Sequence, residues 1–277
     1  MTTPILTLLA GGGTLPAIMA HAALAKGWKV NIITFAGQPQ PLNMPDGLMQ
    51  KRLPLTKVGQ VLDHLKSVKA THVALAGYLH KPSLIGSVPD AEGVKLLAGL
   101  GLKRLGGGDD ALLRAVTARL TAAGLTLVTT TDLAGGLIVP AGTLTKRAPT
   151  LAEKKDIELG TQVLKALSAH DIGQACVVAH GVVLGVEGVE GTDALIDRCA
   201  MLRGSLKPRE RAGILVKRAK DGQIDAADMP AIGPRTLAKL AEDNFVGVAI
   251  QADKTLILEK EKTLHTANAA HLFIHAE

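Results

Sequence analysis

Two acidic loops, a lysine between them and a glycine turn near the N-terminus hold the groups best suited to chemistry. Glu187-Gly188-Val189-Glu190-Gly191-Thr192-Asp193 and Asp228-Met229-Pro230-Ala231-Ile232-Gly233 set carboxylates beside glycine, proline and threonine. Such residues mark turns, which carry binding and catalytic groups more often than regular faces do. Carboxylates gathered from two loops suit holding a divalent cation against a phosphate. Lys217 ends the apolar run 213–216, where its charge would stabilise a phosphate or, alternatively, guard a sheet edge. Each group has a plainer reading. Thr192 suits a helix N-cap with Asp193 at the positive helix end, and Asp228 suits a turn. Those roles leave unexplained why Glu187 and Glu190 crowd the same loop.

Gly11-Gly12-Gly13-Thr14-Leu15-Pro16 falls between a strand pattern and a helix pattern, where glycines let a backbone approach a phosphate. A tight turn with no ligand fits equally. The dinucleotide fingerprint is incomplete, because Pro16 and Ala17 stand where its last small residue belongs. No acid ends the second strand to grip a ribose, which disfavours a nicotinamide cofactor. Gly106-Gly107-Gly108-Asp109-Asp110 precedes another helix pattern, where the aspartates either cap the helix or face a ligand.

The elements that position these groups follow from periodicity. Apolar runs at 5–9, 30–35, 72–76 and 125–128 read as strands, and 15–25, 61–68 and 111–122 carry helical spacing. This alternation implies a parallel sheet with helices on both faces. Residues 131–149, rich in Gly, Thr and Pro, read as a linker and hinge. A helix at 151–167 and a hairpin from 175–179 and 182–186 follow, turning at His180-Gly181. The fold class is therefore α/β, with a Rossmann-like parallel-sheet domain over 1–131, a linker over 132–149, and a mixed α/β domain over 150–277 that carries the acidic loops.

Composition narrows the functional classes. Among 277 residues there are 30 glycines but only three Phe, one Tyr and one Trp, so the core is aliphatic. So few aromatics count against single-stranded nucleic acid, which is bound by base stacking. The formal charge of +6 is scattered, apart from a cluster over 207–220, and suits an anionic ligand or membrane surface without requiring one. Two cysteines make no disulfide framework, and the nine histidines make no metal motif. The uncharged start is broken by glycines and lacks a basic leader, which reads as neither export signal nor span. A cytoplasmic protein is expected.

Taken together, five segments in order resemble one family. They are 10–16, 108–114, Asp171-Ile172-Gly173-Gln174, 190–193 and 228–233. The chain looks like an LpxI-type UDP-2,3-diacylglucosamine pyrophosphatase of lipid A biosynthesis over essentially its whole length. The resemblance implies a Rossmann-like first domain, a second domain peculiar to the family, and substrate held between them. It implies Mg²⁺-dependent hydrolysis to UMP and 2,3-diacylglucosamine 1-phosphate, peripheral to the cytoplasmic face of an inner membrane. The family's essential aspartate falls on Asp228, and Gln223 matches a glutamine five residues earlier. Ile224 and Ala226 replace an acid and an arginine common in relatives.

Together these readings assign Asp228, Lys217 and Asp193 to catalysis, and Asp228, Asp193 and Glu190 to the metal. Gly11, Gly12, Gly13, Thr14, Gly108, Asp109, Asp110, Gln174, Thr192 and Gln223 are assigned to the substrate. Homo-oligomerisation is left open. The alternatives are a nucleotide- or lipid-binding regulatory module and an oxidoreductase with an atypical Rossmann turn.

Overall fold

The computed structural model describes residues 3–79, 88–100, 109–170, 172–206, 211–220 and 229–277, which fall into two compact units dividing after Gly135. In the first unit, strands β1 (Ile5–Ala10), β2 (Lys29–Phe35), β3 (Met49–Leu53), β4 (His72–Ala76) and β5 (Thr126–Leu127) form one sheet in the order β3-β2-β1-β4-β5. Every pairing is parallel. The order reverses between β1 and β4, which is where doubly wound sheets open a crevice at their strand ends.

Period-two alternation decides which helix covers which face. Leu6 and Leu8 of β1 join Ala74 and Ala76 of β4 against Met19, Ala20 and Ala23 of helix α1 (Leu15–Ala25) and Leu133 of α5 (Thr130–Ala134). Leu9 and Val73 face the other way, onto Val61, Leu62 and Leu65 of α2 (Val58–Ser67) and Leu120 of α4 (Asp109–Ala122). Helix α3 (Ala91–Leu100) completes the unit. Strand β3 carries Gln50, Lys51 and Arg52 on an exposed edge, so its sequence lacks the apolar run that marks the other strands.

The second unit is built on a mixed sheet ordered β6-β13-β11-β9-β7-β8. Its strands are β6 (Gly142–Thr143), β7 (Ala175–Ala179), β8 (Val182–Val186), β9 (Ile214–Lys217), β11 (Gly247–Ile250) and β13 (Phe273–Ala276). Strands β9, β11 and β13 run parallel, and β7 returns antiparallel on β9. The β7–β8 hairpin turns at His180 (φ 53°) and Gly181 (φ 75°), the paired left-handed residues that a two-residue hairpin needs. One face packs Cys176, Val178, Ile214 and Val216 against Ile157 and Leu164 of α6 (Leu151–Ser168). The other packs Ala175, Val177 and Leu215 against Leu195, Ile196 and Cys199 of α7 (Thr192–Leu206), with Leu237 and Leu240 of α8 (Pro234–Glu242). Helix α9 (Lys260–Ala269) and a small parallel pair, β10 (Ala231–Ile232) with β12 (Leu256–Ile257), complete it.

Within 132–149 the chain is structured. Helix α5 begins in a capping box between Thr129 and Asp132, and β6 pairs with β13. A second capping box, Thr150 with Glu153, starts α6. Both thiols are buried, and desolvation pushes Cys176 up to about 12, which leaves it no nucleophilic thiolate near neutrality. His275 is engaged by Thr143 at 2.9 Å, in keeping with a satisfied histidine. Among the described residues, no helix is long and apolar enough to cross a membrane.

Candidate functional site

Lys217 is the last residue of β9, two positions beyond Leu215, so it shares the sheet face covered by α7. β9 lies between β11 and β7, which corrects the edge-strand reading of this lysine. Its Nζ donates to Thr192 Oγ1 at 3.0 Å, in the first turn of α7. The Thr192 hydroxyl donates in turn to Glu187 Oε1 at 2.5 Å, and Glu187 Oε2 accepts the Gln174 backbone N–H at 2.8 Å. Topology brings these segments together. Because β7 is antiparallel to β9, Ala175 registers against Lys217, and the Arg218 N–H donates to the Gln174 carbonyl at 2.9 Å. The Glu187 N–H closes the set on the Ala175 carbonyl at 2.8 Å.

Gly173 has to be glycine here. Its φ is +54°, and a Cβ on it would fall 2.1 Å from the Glu187 carbonyl oxygen. Gly173→Ala is therefore expected to displace the Glu187 loop, destabilising the protein by roughly 1–3 kcal/mol. Activity should fall with the thermal midpoint, and paired melting and rate measurements check this.

The structure gives several of these residues partners that the sequence did not show. Thr192 is itself the first residue of α7, so the N-cap position falls on Gly191, whose carbonyl accepts the Leu195 N–H. The one hydroxyl proton of Thr192 goes to Glu187, so donation from the hydroxyl to a phosphate is not available in this arrangement. Glu190 binds Arg198 at 2.7 Å through Oε1 and the Gly188 N–H at 3.0 Å through Oε2. The guanidinium holds its carboxyl below the usual range. Asp193 pairs with Arg235 of α8. At 79% exposure for Arg235 and 42% for Asp193, that pair is worth at most about 1 kcal/mol and is readily exchanged. Among the described residues there is no group of three metal-ligating side chains. Gly108, Gln223 and Asp228 lie outside the described residues, as do the side chains of Asp109 and Asp110, which begin α4.

In the first unit the glycine turn ends β1 beside β4. The Gly11 N–H donates to the Ala76 carbonyl and the Gly12 N–H to the Tyr78 carbonyl, each at 2.8 Å. These two amides are thus committed to the protein, which corrects the expectation that they donate to a ligand. Packing accounts for both glycines. A Cβ on Gly11 would meet the Tyr78 oxygen at 2.4 Å, and one on Gly12 would meet Pro39 Cβ at 2.6 Å. Thr14 precedes α1 with no side-chain cap, and Pro16 sits in its first turn, where its missing N–H costs nothing.

Sequence reasoning placed Gln174, Thr192 and Lys217 at a site, and the structure joins them. It did not give Glu187 a role. The only signal was the crowding of acids in one loop, while the link to Lys217 runs between residues 25 positions apart. Arg198 and Arg235 were missed because their partners lie 8 and 42 positions away.

Two family profiles match the chain, the LpxI N-terminal domain over residues 5–137 and the LpxI C-terminal domain over residues 140–275. The UDP-2,3-diacylglucosamine pyrophosphatase LpxI of Caulobacter vibrioides is 31% identical over 271 residues, covering 97% of this chain and 96% of that protein. The solved structure of the CobK precorrin-6A reductase aligns over 99% of this chain and 87% of its own at 13% identity, with a TM-score of 0.36 that carries no argument.

Proposed function

The chain belongs to the LpxI family, and from that premise we propose that it hydrolyses the pyrophosphate bond of UDP-2,3-diacylglucosamine. The products are UMP and 2,3-diacylglucosamine 1-phosphate, within lipid A biosynthesis. The observation that carries the geometric side of this reading is the Lys217 ammonium, held at the end of β9 beside the first turn of α7. A pyrophosphate is anionic and repels an oxygen nucleophile, so its site must neutralise charge and position a water. Lys217 supplies positive charge to a phosphoryl oxygen as charge builds there. The N-terminus of α7 adds a favourable dipole in the same place. Asp228 is the catalytic carboxylate in this reading, orienting the attacking water.

Magnesium is the cofactor of this proposal, and Asp228 and Asp193 would hold it. Asp193 fits that role, since its exposed partner Arg235 is easily exchanged for a cation. Glu190 fits less well, because Arg198 and the Gly188 N–H occupy both of its oxygens. One or two carboxylates suffice for an ion that keeps most of its waters, and the ion would neutralise phosphate charge. The substrate's two acyl chains support work at the cytoplasmic face of the inner membrane.

Product analysis tests the reaction. Incubation with UDP-2,3-diacylglucosamine in detergent should give UMP and the sugar 1-phosphate by mass spectrometry, stop with EDTA, and resume with added Mg²⁺. Release of UDP with free sugar would contradict pyrophosphate cleavage, and full activity in EDTA would contradict the metal.

A further inference from the structure

We infer that Glu187 is a positioning residue for Lys217, acting through the Thr192 hydroxyl; the inference rests on the pyrophosphatase reading of this site. A threonine hydroxyl has one proton and two lone pairs. Because the proton is given to Glu187 Oε1 at 2.5 Å, a lone pair is turned to Lys217 Nζ at 3.0 Å. The carboxylate polarises the hydroxyl and strengthens it as an acceptor. Glu187 is itself fixed, with Oε2 on the Gln174 N–H and its backbone N–H on the Ala175 carbonyl. The loop lies so close to Gly173 that no Cβ fits between them. The rigidity of β7 is thereby passed to the ammonium of a long, flexible side chain.

The interposed hydroxyl also has an electrostatic consequence. A carboxylate bonded directly to Lys217 would cancel much of the charge that a phosphate requires. With Thr192 between them, Glu187 orients the ammonium through the hydroxyl rather than by pairing with it. Neither Glu190 nor Asp193 shares this task, since each is turned to its own arginine.

A double-mutant cycle on the full chain tests this. Glu187→Gln keeps the shape but removes the charge that fixes the hydroxyl, and Thr192→Val keeps the shape but removes the acceptor. Each is expected to lower kcat about tenfold with KM changed less than about threefold, while the double variant is about as slow as the slower single one. Thr192→Ser should run clearly faster than Thr192→Val. Losses that multiply in the double variant, or single variants within about twofold of wild type, would overturn the proposal. Thermal midpoints taken alongside separate rate from fold. If Glu187→Gln fails to fold, the Thr192→Ser and Thr192→Val comparison decides.

A wild type without turnover would defeat the pyrophosphatase reading but not this one. The relay is then read from the Lys217 ammonium resonance in protein carrying ¹⁵N-lysine, assigned by its absence in Lys217→Met. A resonance that broadens or shifts in Glu187→Gln supports the relay, and an unchanged one overturns it.

Discussion

Lys217→Met is expected to lower kcat for UMP release roughly 10²–10³-fold, the range seen when one preorganised charge or donor is removed from an anionic transition state. Methionine matches the length of the lysine stem and suits the end of an interior strand, so β9 should pair with β11 and β7 as before. The loss is therefore one of charge rather than of packing. Because charge builds during the reaction, most of the effect belongs in kcat, with a smaller rise in KM. Lys217→Arg should recover little. A planar guanidinium presents its donors in a fork, whereas the Thr192 oxygen receives a single N–H from a compact ammonium. A Lys217→Met protein with kcat within about threefold of wild type would remove the lysine from the mechanism.

Asp228→Ala is expected to cost more, roughly 10³-fold or greater, because the role proposed for Asp228 combines orienting the water with binding the cation. Asp228→Asn should be nearly as poor, since an amide keeps the size but supplies neither the charge nor the basicity. Asp193→Ala should be milder, about tenfold, with a higher Mg²⁺ requirement, as befits a carboxylate that shares itself with an exposed arginine. Initial rates across a Mg²⁺ titration distinguish the two positions. Equal losses at both would contradict the assignment of Asp228 as the principal carboxylate.

Legibility in the sequence follows the range of the interactions. Strand β1 and helix α1 were evident because an apolar run, a glycine turn and a first-turn proline are local signals. The hairpin at His180-Gly181 was evident for the same reason. Strand β3 was not, because an edge strand of Met49, Gln50, Lys51 and Arg52 carries no apolar alternation. Lys217 was read correctly at the end of a strand, but whether that strand lies inside the sheet depends on β7 and β11, which pair with it from distant sequence.

The same distinction holds at the site. A threonine followed by an aspartate at a helix start is a capping signature, and it led Thr192 to be read as a cap. What diverts the hydroxyl is Glu187 on one side and Lys217 on the other, a contact the register of β7 on β9 creates. The glycines at 11 and 12 show the converse. Their local pattern suggests a phosphate, and only the approach of Tyr78 and Pro39 shows what the missing side chains make room for.

The most direct measurement is the steady-state release of UMP from UDP-2,3-diacylglucosamine in detergent with Mg²⁺, by wild-type protein whose fold is verified by circular dichroism. Sustained, enzyme-proportional release of UMP with an equal amount of 2,3-diacylglucosamine 1-phosphate is the predicted result. No release by the folded protein, across a range of detergents and with Mg²⁺ in excess, would contradict it.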